Sequence, residues 1–253
     1  EIATAIYRAE VDKVDQMIYV VGEDQKFYFE QFFEILKRAG YPIAEKSKHV
    51  YFGMISLPEG KMSTRKGRVV LLKDFVDEAH DRTRKIVSES KRVTGKAERE
   101  DLVRKVAVGA LKWNDLIADP RRAIVFDWDS MLTMEGKSAP YIQYSFVRAV
   151  SLLEGLNYQV LAEAKILPDD DVEKRLLVHI AGLPEAIHSA AEQYDPSKIA
   201  VFVYELAKTF NSFYNSHDIL KEPDTKKRAS RLAMTAATAQ TIKVALGLLG
   251  IEA

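Results

Sequence analysis

Residues 17–57 read MIYVVGEDQKFYFEQFFEILKRAGYPIAEKSKHVYFGMISL. Met17 to Val21 is short, β-branched and aromatic, the pattern of a buried strand, and Gly22 ends it. Gln25 to Ala39 then turns helical: Phe29, Phe32, Phe33 and Leu36 fall on one stripe, and Gly40 supplies the stop. Val50 to Leu57 returns to strand character. Strand, helix and strand in that order predict a parallel βαβ unit. A single such unit is too little for a free-standing doubly wound sheet, so the expected architecture here is an α/β remnant.

Working outward, residues 1–10 read as the end of a helix. The chain opens on Glu1, without a methionine and inside that helical pattern, so a fragment of a longer protein is expected. Past Gly67 the pattern changes. Leu72 to Val93 and Glu98 to Leu116 are long helical stretches, and Ala123 to Phe126 is a short apolar run with strand character. From Pro140 onward nearly everything reads helical, with breaks near Pro168, at Asp195-Pro196 and at Glu222-Pro223. Pro184 suits a first helical turn, and Asp169 to Asp171 can cap the helix that carries Val172, Leu176, Leu177 and Ile180. The α/β remnant is therefore followed by an all-α helical bundle. Phe210, Phe213 and Tyr214 lie behind Leu206 and read as core, leaving Asn211 or Asn215 at the surface. Trp113 and Trp128 read as buried anchors.

Composition excludes more than it selects. Among 253 residues, 47% are apolar and 29% charged, as in an ordinary globular chain. The 37 basic and 37 acidic residues cancel, which argues against a nonspecific polyanion binder but leaves room for a local RNA-facing surface. No cysteine is present, so disulfides and thiolate chemistry are ruled out, and a reducing compartment fits. The five histidines are scattered without metal-ligand spacing, and no protein metal site is predicted. Apolar runs are broken by charge too early for a membrane span.

The strand that ends the quoted stretch opens into Pro58-Glu59-Gly60-Lys61-Met62-Ser63-Thr64-Arg65-Lys66-Gly67. Lysine offers a mobile point charge, arginine a planar fork, and the hydroxyls short hydrogen bonds, a set suited to a polyphosphate. The P-loop spacing is absent. Charge and glycine alone also fit a solvated turn. Gly22, Asp24 and Gln25 sit just past the first strand, where open α/β sheets gather ligands. Two readings of Asp24 stand together: a cap for the following helix, or an acceptor for ribose hydroxyls.

Lys61-Met62-Ser63-Thr64-Arg65-Lys66-Gly67 resembles the KMSKS-type signature of class I aminoacyl-tRNA synthetases. Its flanks narrow the resemblance to arginyl-tRNA synthetases: His49-Val50-Tyr51-Phe52-Gly53-Met54 before it and Val69-Val70-Leu71-Leu72 after it. Tyr19 to Gln25 resembles the family's Gly-x-Asp-Gln segment. Phe126-Asp127-Trp128-Asp129 and Ala139-Pro140-Tyr141-Ile142-Gln143-Tyr144, completed by Arg148, also resemble family motifs. Thr64 departs from the signature, which has lysine there, and Tyr28 stands where the family often has histidine. The His-x-Gly-His element of class I enzymes does not occur.

The resemblance implies the later part of a class I Rossmann catalytic domain over residues 1–67, a connecting segment over 68–137 and a helical anticodon-binding domain over 138–253. It implies a cytoplasmic, monomeric enzyme that joins arginine to its cognate tRNA using ATP with Mg2+, outside any membrane. Lys61, Ser63 and Lys66 would serve the transferring phosphates; Gly22, Asp24, Gln25, Met62 and Arg65 would hold the nucleotide. Tyr141, Gln143, Tyr144 and Arg148 would meet the tRNA, with packing inside the bundle an equal alternative for each. Lys226-Lys227-Arg228 with Arg231 reads either as an RNA-facing helix start or as a solvated face. The piece alone should not activate arginine. A non-catalytic tRNA-binding module and a purely structural helical scaffold are the competing readings.

Overall fold

The computed structural model describes residues 1–56, 71–88, 95–156 and 164–253. The chain divides into two compact units, Glu1–Lys61 with Asp119–Phe126, and Met62–Ala118 with Asp127–Ala253.

In the first unit, helix α1 (Ile2–Glu10) precedes strand β1 (Met17–Gly22), helix α2 (Lys26–Arg38) and strand β2 (Ser47–Phe52). The two strands run parallel in the register Met17↔Ser47 to Gly22↔Phe52, so the expected βαβ unit is present. Phe29, Phe32 and Leu36 from α2 are buried with Met17 and Tyr19 from β1, Ala5 from α1, and Ile43 and Ala44. The Tyr19 ring meets Phe29, Phe32 and Phe33 at centroid distances of 5.1, 5.6 and 5.8 Å. Gly40 terminates α2 at φ +81°, a left-handed conformation that a Cβ would strain.

Two details differ from the sequence reading. Strand β1 is buried on one face only: Met17 and Tyr19 pack inward while Ile18 and Val20 are 49% and 66% exposed. A parallel strand is covered on both sides only where helices lie on both faces, and α2 covers one. Residues 50–56 do not form one strand, and Leu57 lies outside the described residues. β2 starts earlier, at Ser47, and after Phe52 the chain changes partner: β3 (Ile55–Ser56) pairs in parallel with β4 (Ile124–Val125). Gly53 makes that crossing. Its N–H donates to the Pro120 carbonyl at 2.8 Å, and a Cβ there would stand 2.3 Å from the Arg122 carbonyl oxygen.

The second unit is helical. α3 (Leu72–Ser88) and α4 (Lys96–Leu116) pack on each other, followed by α5 (Trp128–Leu132) and α6 (Ala139–Leu152). Then come α7 (Asp171–Ala181), α8 (Leu183–Gln193), α9 (Ser197–Ser216) and α10 (Thr225–Leu248). Asp127, Ser138, Asp170 and Asp224 each accept backbone N–H bonds at a helix start. Pro184 lies in the first turn of α8. Ile142, Leu176, Leu206, Phe210, Phe213 and Met234 are fully buried in one core, each contributing about 1.5–3 kcal/mol by burial. α10 is buried on most of its circumference. Its Thr235, Thr238 and Thr241 hydroxyls donate to carbonyls one turn back at 2.8–2.9 Å, which offsets their loss of water. Among the described residues, no helix is long and apolar enough to cross a membrane.

Candidate functional site

The first candidate region lies at the carboxyl end of β1. Gly22 closes the strand, and Glu23–Gln25 form a single tight turn that delivers the chain into α2. The Asp24 side chain does not cap α2. Instead its Oδ1 lies over Gly22, 2.8 Å from where a Cβ would stand. Glycine therefore permits the carboxylate position, which a Cβ would displace. Asp24 and Gln25 are exposed, free to accept or donate hydrogen bonds at this corner. Lys26, the first residue of α2, places its ammonium 5.4 Å from the Tyr51 ring centroid. A glycine floor, a carboxylate and an ammonium at a strand end suit a ribose or a nucleotide. Lys61, Met62, Ser63, Arg65 and Lys66 lie outside the described residues.

The second candidate region is built on α6 and α9. Tyr144 and Arg148 are one turn apart on α6. The Arg148 guanidinium carbon lies 4.8 Å from the Tyr144 ring centroid and 4.6 Å from that of Tyr214. Its Nη1 donates to Asn211 Oδ1 at 2.6 Å; Asn211 Nδ2 donates to Ser145 Oγ at 2.8 Å, and that hydroxyl donates to the Tyr141 carbonyl. The guanidinium is thus held within cation–π distance of two aromatic rings, with a chain of hydrogen bonds behind it. Tyr144, Val147, Arg148, Ser151, Leu152 and Tyr214 line a surface cavity of about 240 Å³ beside it. A planar cation beside two rings at the mouth of a shallow cavity suits an unstacked base or a phosphate.

The other α6 candidates sit deeper. Gln143 is 7% exposed; its Nε2 donates to the Glu252 carbonyl at 2.8 Å and the Lys105 carbonyl at 3.3 Å, tying α6 to α4 and to residues past α10. Tyr141 is half-buried, 5.9 Å from the Tyr204 ring. Tyr144 and Arg148 reach the cavity, and Gln143 and Tyr141 support the helix from below. Tyr214 packs on the core in part, as read, and also walls the Arg148 site; of Asn211 and Asn215 it is Asn215 that is exposed, while Asn211 anchors Arg148. The spacing of three between Asn211 and Tyr214 on α9, beside the Phe210 and Phe213 stripe, was the available signal. Phe210 and Phe213 are fully buried as expected, and Trp113 is 2% exposed with Nε1 donating to the Lys137 carbonyl. Trp128 packs on Phe75 at 4.9 Å, with the Arg82 guanidinium 5.0 Å from its ring.

An ionic cluster that the sequence did not announce ties α7, α9 and α10. Glu173, 1% exposed, accepts from Arg231 Nε at 2.7 Å and from the Asp169 N–H at 2.5 Å. Arg231 Nη1 reaches Glu222 at 2.5 Å. His217 Nε2 lies 2.7 Å from Asp170 and 3.7 Å from Glu173. Asp170, Glu173 and His217 have the proximity of a metal cluster. Arg231 and backbone N–H groups already bond these carboxylates. The basic run at residues 226–231 is partly spent the same way: Lys227 pairs with Asp169, and Arg228 donates to the Glu222 carbonyl.

Comparison with known proteins matches both regions. A family profile described as tRNA synthetases class I (R), catalytic domain, matches residues 1–128, and one described as DALR anticodon binding domain matches residues 142–253. The arginine–tRNA ligase of Clostridium perfringens is 38% identical over 256 residues, covering all of this chain and 45% of the relative. That of Halothermothrix orenii is 38% identical over 254 residues, covering all of this chain and 44% of the relative. The chain thus spans somewhat less than half the length of these relatives. The solved structure of Thermus thermophilus arginyl-tRNA synthetase superposes with a TM-score of 0.83 at 29% identity, covering 95% of this chain and 41% of that one. The Plasmodium falciparum arginyl-tRNA synthetase structure shares the fold with a TM-score of 0.85 at 24% identity, over 99% of this chain and 43% of that one.

Proposed function

The chain belongs to the class I arginyl-tRNA synthetases, and from that membership we propose that the full-length protein joins arginine to its cognate tRNA at the expense of ATP. The arginine carboxylate attacks the α-phosphorus of ATP and pyrophosphate leaves. A terminal ribose hydroxyl of the tRNA then attacks the activated carboxyl carbon and AMP leaves. Neither step requires a metal or a nucleophilic side chain held by this chain, and Mg2+ arrives with the triphosphate.

In this reading Gly22, Asp24 and Gln25 receive the adenosine, and the glycine floor under the Asp24 carboxylate supports that role. Lys61, Ser63 and Lys66 take up charge that builds on the phosphates, with Met62 and Arg65 against the nucleotide. Residues 1–67 act as the later part of the catalytic domain, 68–137 as the connecting segment and 138–253 as the anticodon-binding domain. Tyr144 and Arg148, with Tyr214, meet unstacked anticodon bases, while Tyr141 and Gln143 hold α6 in place. The zero formal charge suits a modest salt dependence of RNA binding. A monomeric, cytoplasmic enzyme is the corresponding assignment.

The observation that carries the proposal is the 38% identity to arginine–tRNA ligases along the entire chain, through both candidate regions. Arginine-dependent exchange of pyrophosphate into ATP, and charging of arginine tRNA, test it in the full-length protein. Arginine should support both reactions and other amino acids neither. Residues 1–253 alone should give no exchange. A full-length protein inactive with arginine, or equally active with several amino acids, would overturn the proposal.

A further inference from the structure

The histidine of the His49-to-Met54 run has no role in the reading above. It lies half-buried on β2, with its ring stacked on Phe29 at 4.4 Å between centroids and 27° between planes. Its Nε2 is 3.1 Å from the Val21 carbonyl oxygen. A carbonyl oxygen only accepts, so Nε2 carries the proton and donates. Val21 immediately precedes Gly22, and the peptide between them is planar. Fixing the Val21 carbonyl therefore fixes the Gly22 N–H. Gly22 is the residue over which the Asp24 carboxylate lies. Phe29 belongs to the first turn of α2, the helix that begins directly after Gln25. One imidazole in the middle of β2 thus joins the end of β1 to the start of α2, beside the nucleotide corner. Packing alone needs no donor here, since a phenyl ring would keep the stack.

We propose that His49 is a positioning residue for ATP, which acts by orienting the Val21–Gly22 peptide beneath Asp24. This rests on the synthetase reading. Two variants of the full-length protein separate its functions. His49→Phe keeps an aromatic ring and loses the donor; His49→Gln keeps a donor and loses the ring. In pyrophosphate exchange, His49→Phe should raise the KM for ATP about 5- to 10-fold, the effect of one lost hydrogen bond, and leave the KM for arginine unchanged. His49→Gln should recover most of the loss. A wild-type ATP KM in His49→Phe would overturn the proposal. So would a parallel rise of both KM values, in step with a fall in Tm, in both variants. Binding of a non-hydrolysable ATP analogue to the same proteins reads the same contrast without turnover. It decides the role of His49 even if the wild type fails to exchange with arginine, a result that refutes the synthetase reading separately. If His49→Phe does not fold, His49→Gln decides: wild-type analogue affinity supports the donor role, and weakened affinity refutes it.

Discussion

Arg148 Nη1 donates to Asn211 Oδ1 at 2.6 Å, so the arginine that lines the α6 cavity is aimed by a side chain of α9. A lysine at this position would keep the charge and lose both the fork and the flat stacking surface. Arg148→Lys should therefore destabilise the chain by only about 1 kcal/mol. It should weaken binding of an arginine-tRNA anticodon hairpin more strongly, by about 1–3 kcal/mol, the range of one stacked base. Titration of cognate and anticodon-swapped hairpins, beside thermal melts, gives both numbers. Unchanged hairpin affinity in Arg148→Lys and Tyr144→Ala would remove this face from RNA recognition.

The Glu173–Arg231 pair is nearly dry, with side chains 1% and 10% exposed. Removing Glu173 leaves the buried Arg231 with Glu222 as its remaining carboxylate partner, whereas removing both leaves only Glu222, whose side chain is 16% exposed. Glu173→Ala should destabilise by about 3–5 kcal/mol. The double variant Glu173→Leu with Arg231→Met should cost less than Glu173→Ala alone. Urea denaturation of the three proteins measures the difference. A double variant destabilised more than Glu173→Ala alone would contradict the stranded-charge argument.

Acid should act on the same cluster through Asp170. Burial pushes its carboxyl up, but the Glu173 N–H, the His217 ring and the Val172 N–H outweigh burial and hold it below the ordinary carboxylate range. Glu173 and Arg231 face the same pocket from α7 and α10. A carboxyl with a depressed folded value contributes stability that is full above its unfolded value, about 3.9, and is lost as pH falls through the folded value. The wild type should exceed Asp170→Asn in stability at pH 6, and the gap should close below about pH 4. Denaturation midpoints across that range test this, and a gap that persists undiminished in acid would contradict it.

The cations of residues 61–66 carry a kinetic prediction. Neutralising Lys61 or Lys66 in the full-length protein should slow arginyl-adenylate formation by about 2–4 kcal/mol, the scale of one lost preorganised donor. The affinity for tRNA should stay nearly constant. Pre-steady-state adenylation at the wild-type rate in both variants would take the phosphate role away from this run.

Local patterns placed most elements and their order, but not the break at Gly53 between β2 and β3. Phe29, Phe32 and Leu36 repeat at helical spacing, so they could bury only as one face of a helix, and they do. Asp170, Pro184 and Gly40 act within a turn of their own position, so local chemistry sufficed to place the helix ends. Family motifs in fixed order were also legible, because they are strings rather than contacts.

Tertiary structure alone decided which side chains meet. Nothing in the run from Val50 to Leu57 shows that Gly53 must pass within a Cβ's width of the Arg122 carbonyl, because that neighbour lies about seventy residues away along the chain. Gln143 and Arg148 both read as RNA contacts, and only packing separates them. Gln143 turns inward to the Glu252 carbonyl, while Arg148 is held at a cavity by Asn211 and Tyr214. The charges of Glu173, Glu222 and Arg231 look like surface residues when read in order. Long-range folding brings them together, and burial is tolerable for each only because the others are there. Periodicity and capping are local and survive in one dimension; pairing across helices is not local, and it is where the candidate sites are made.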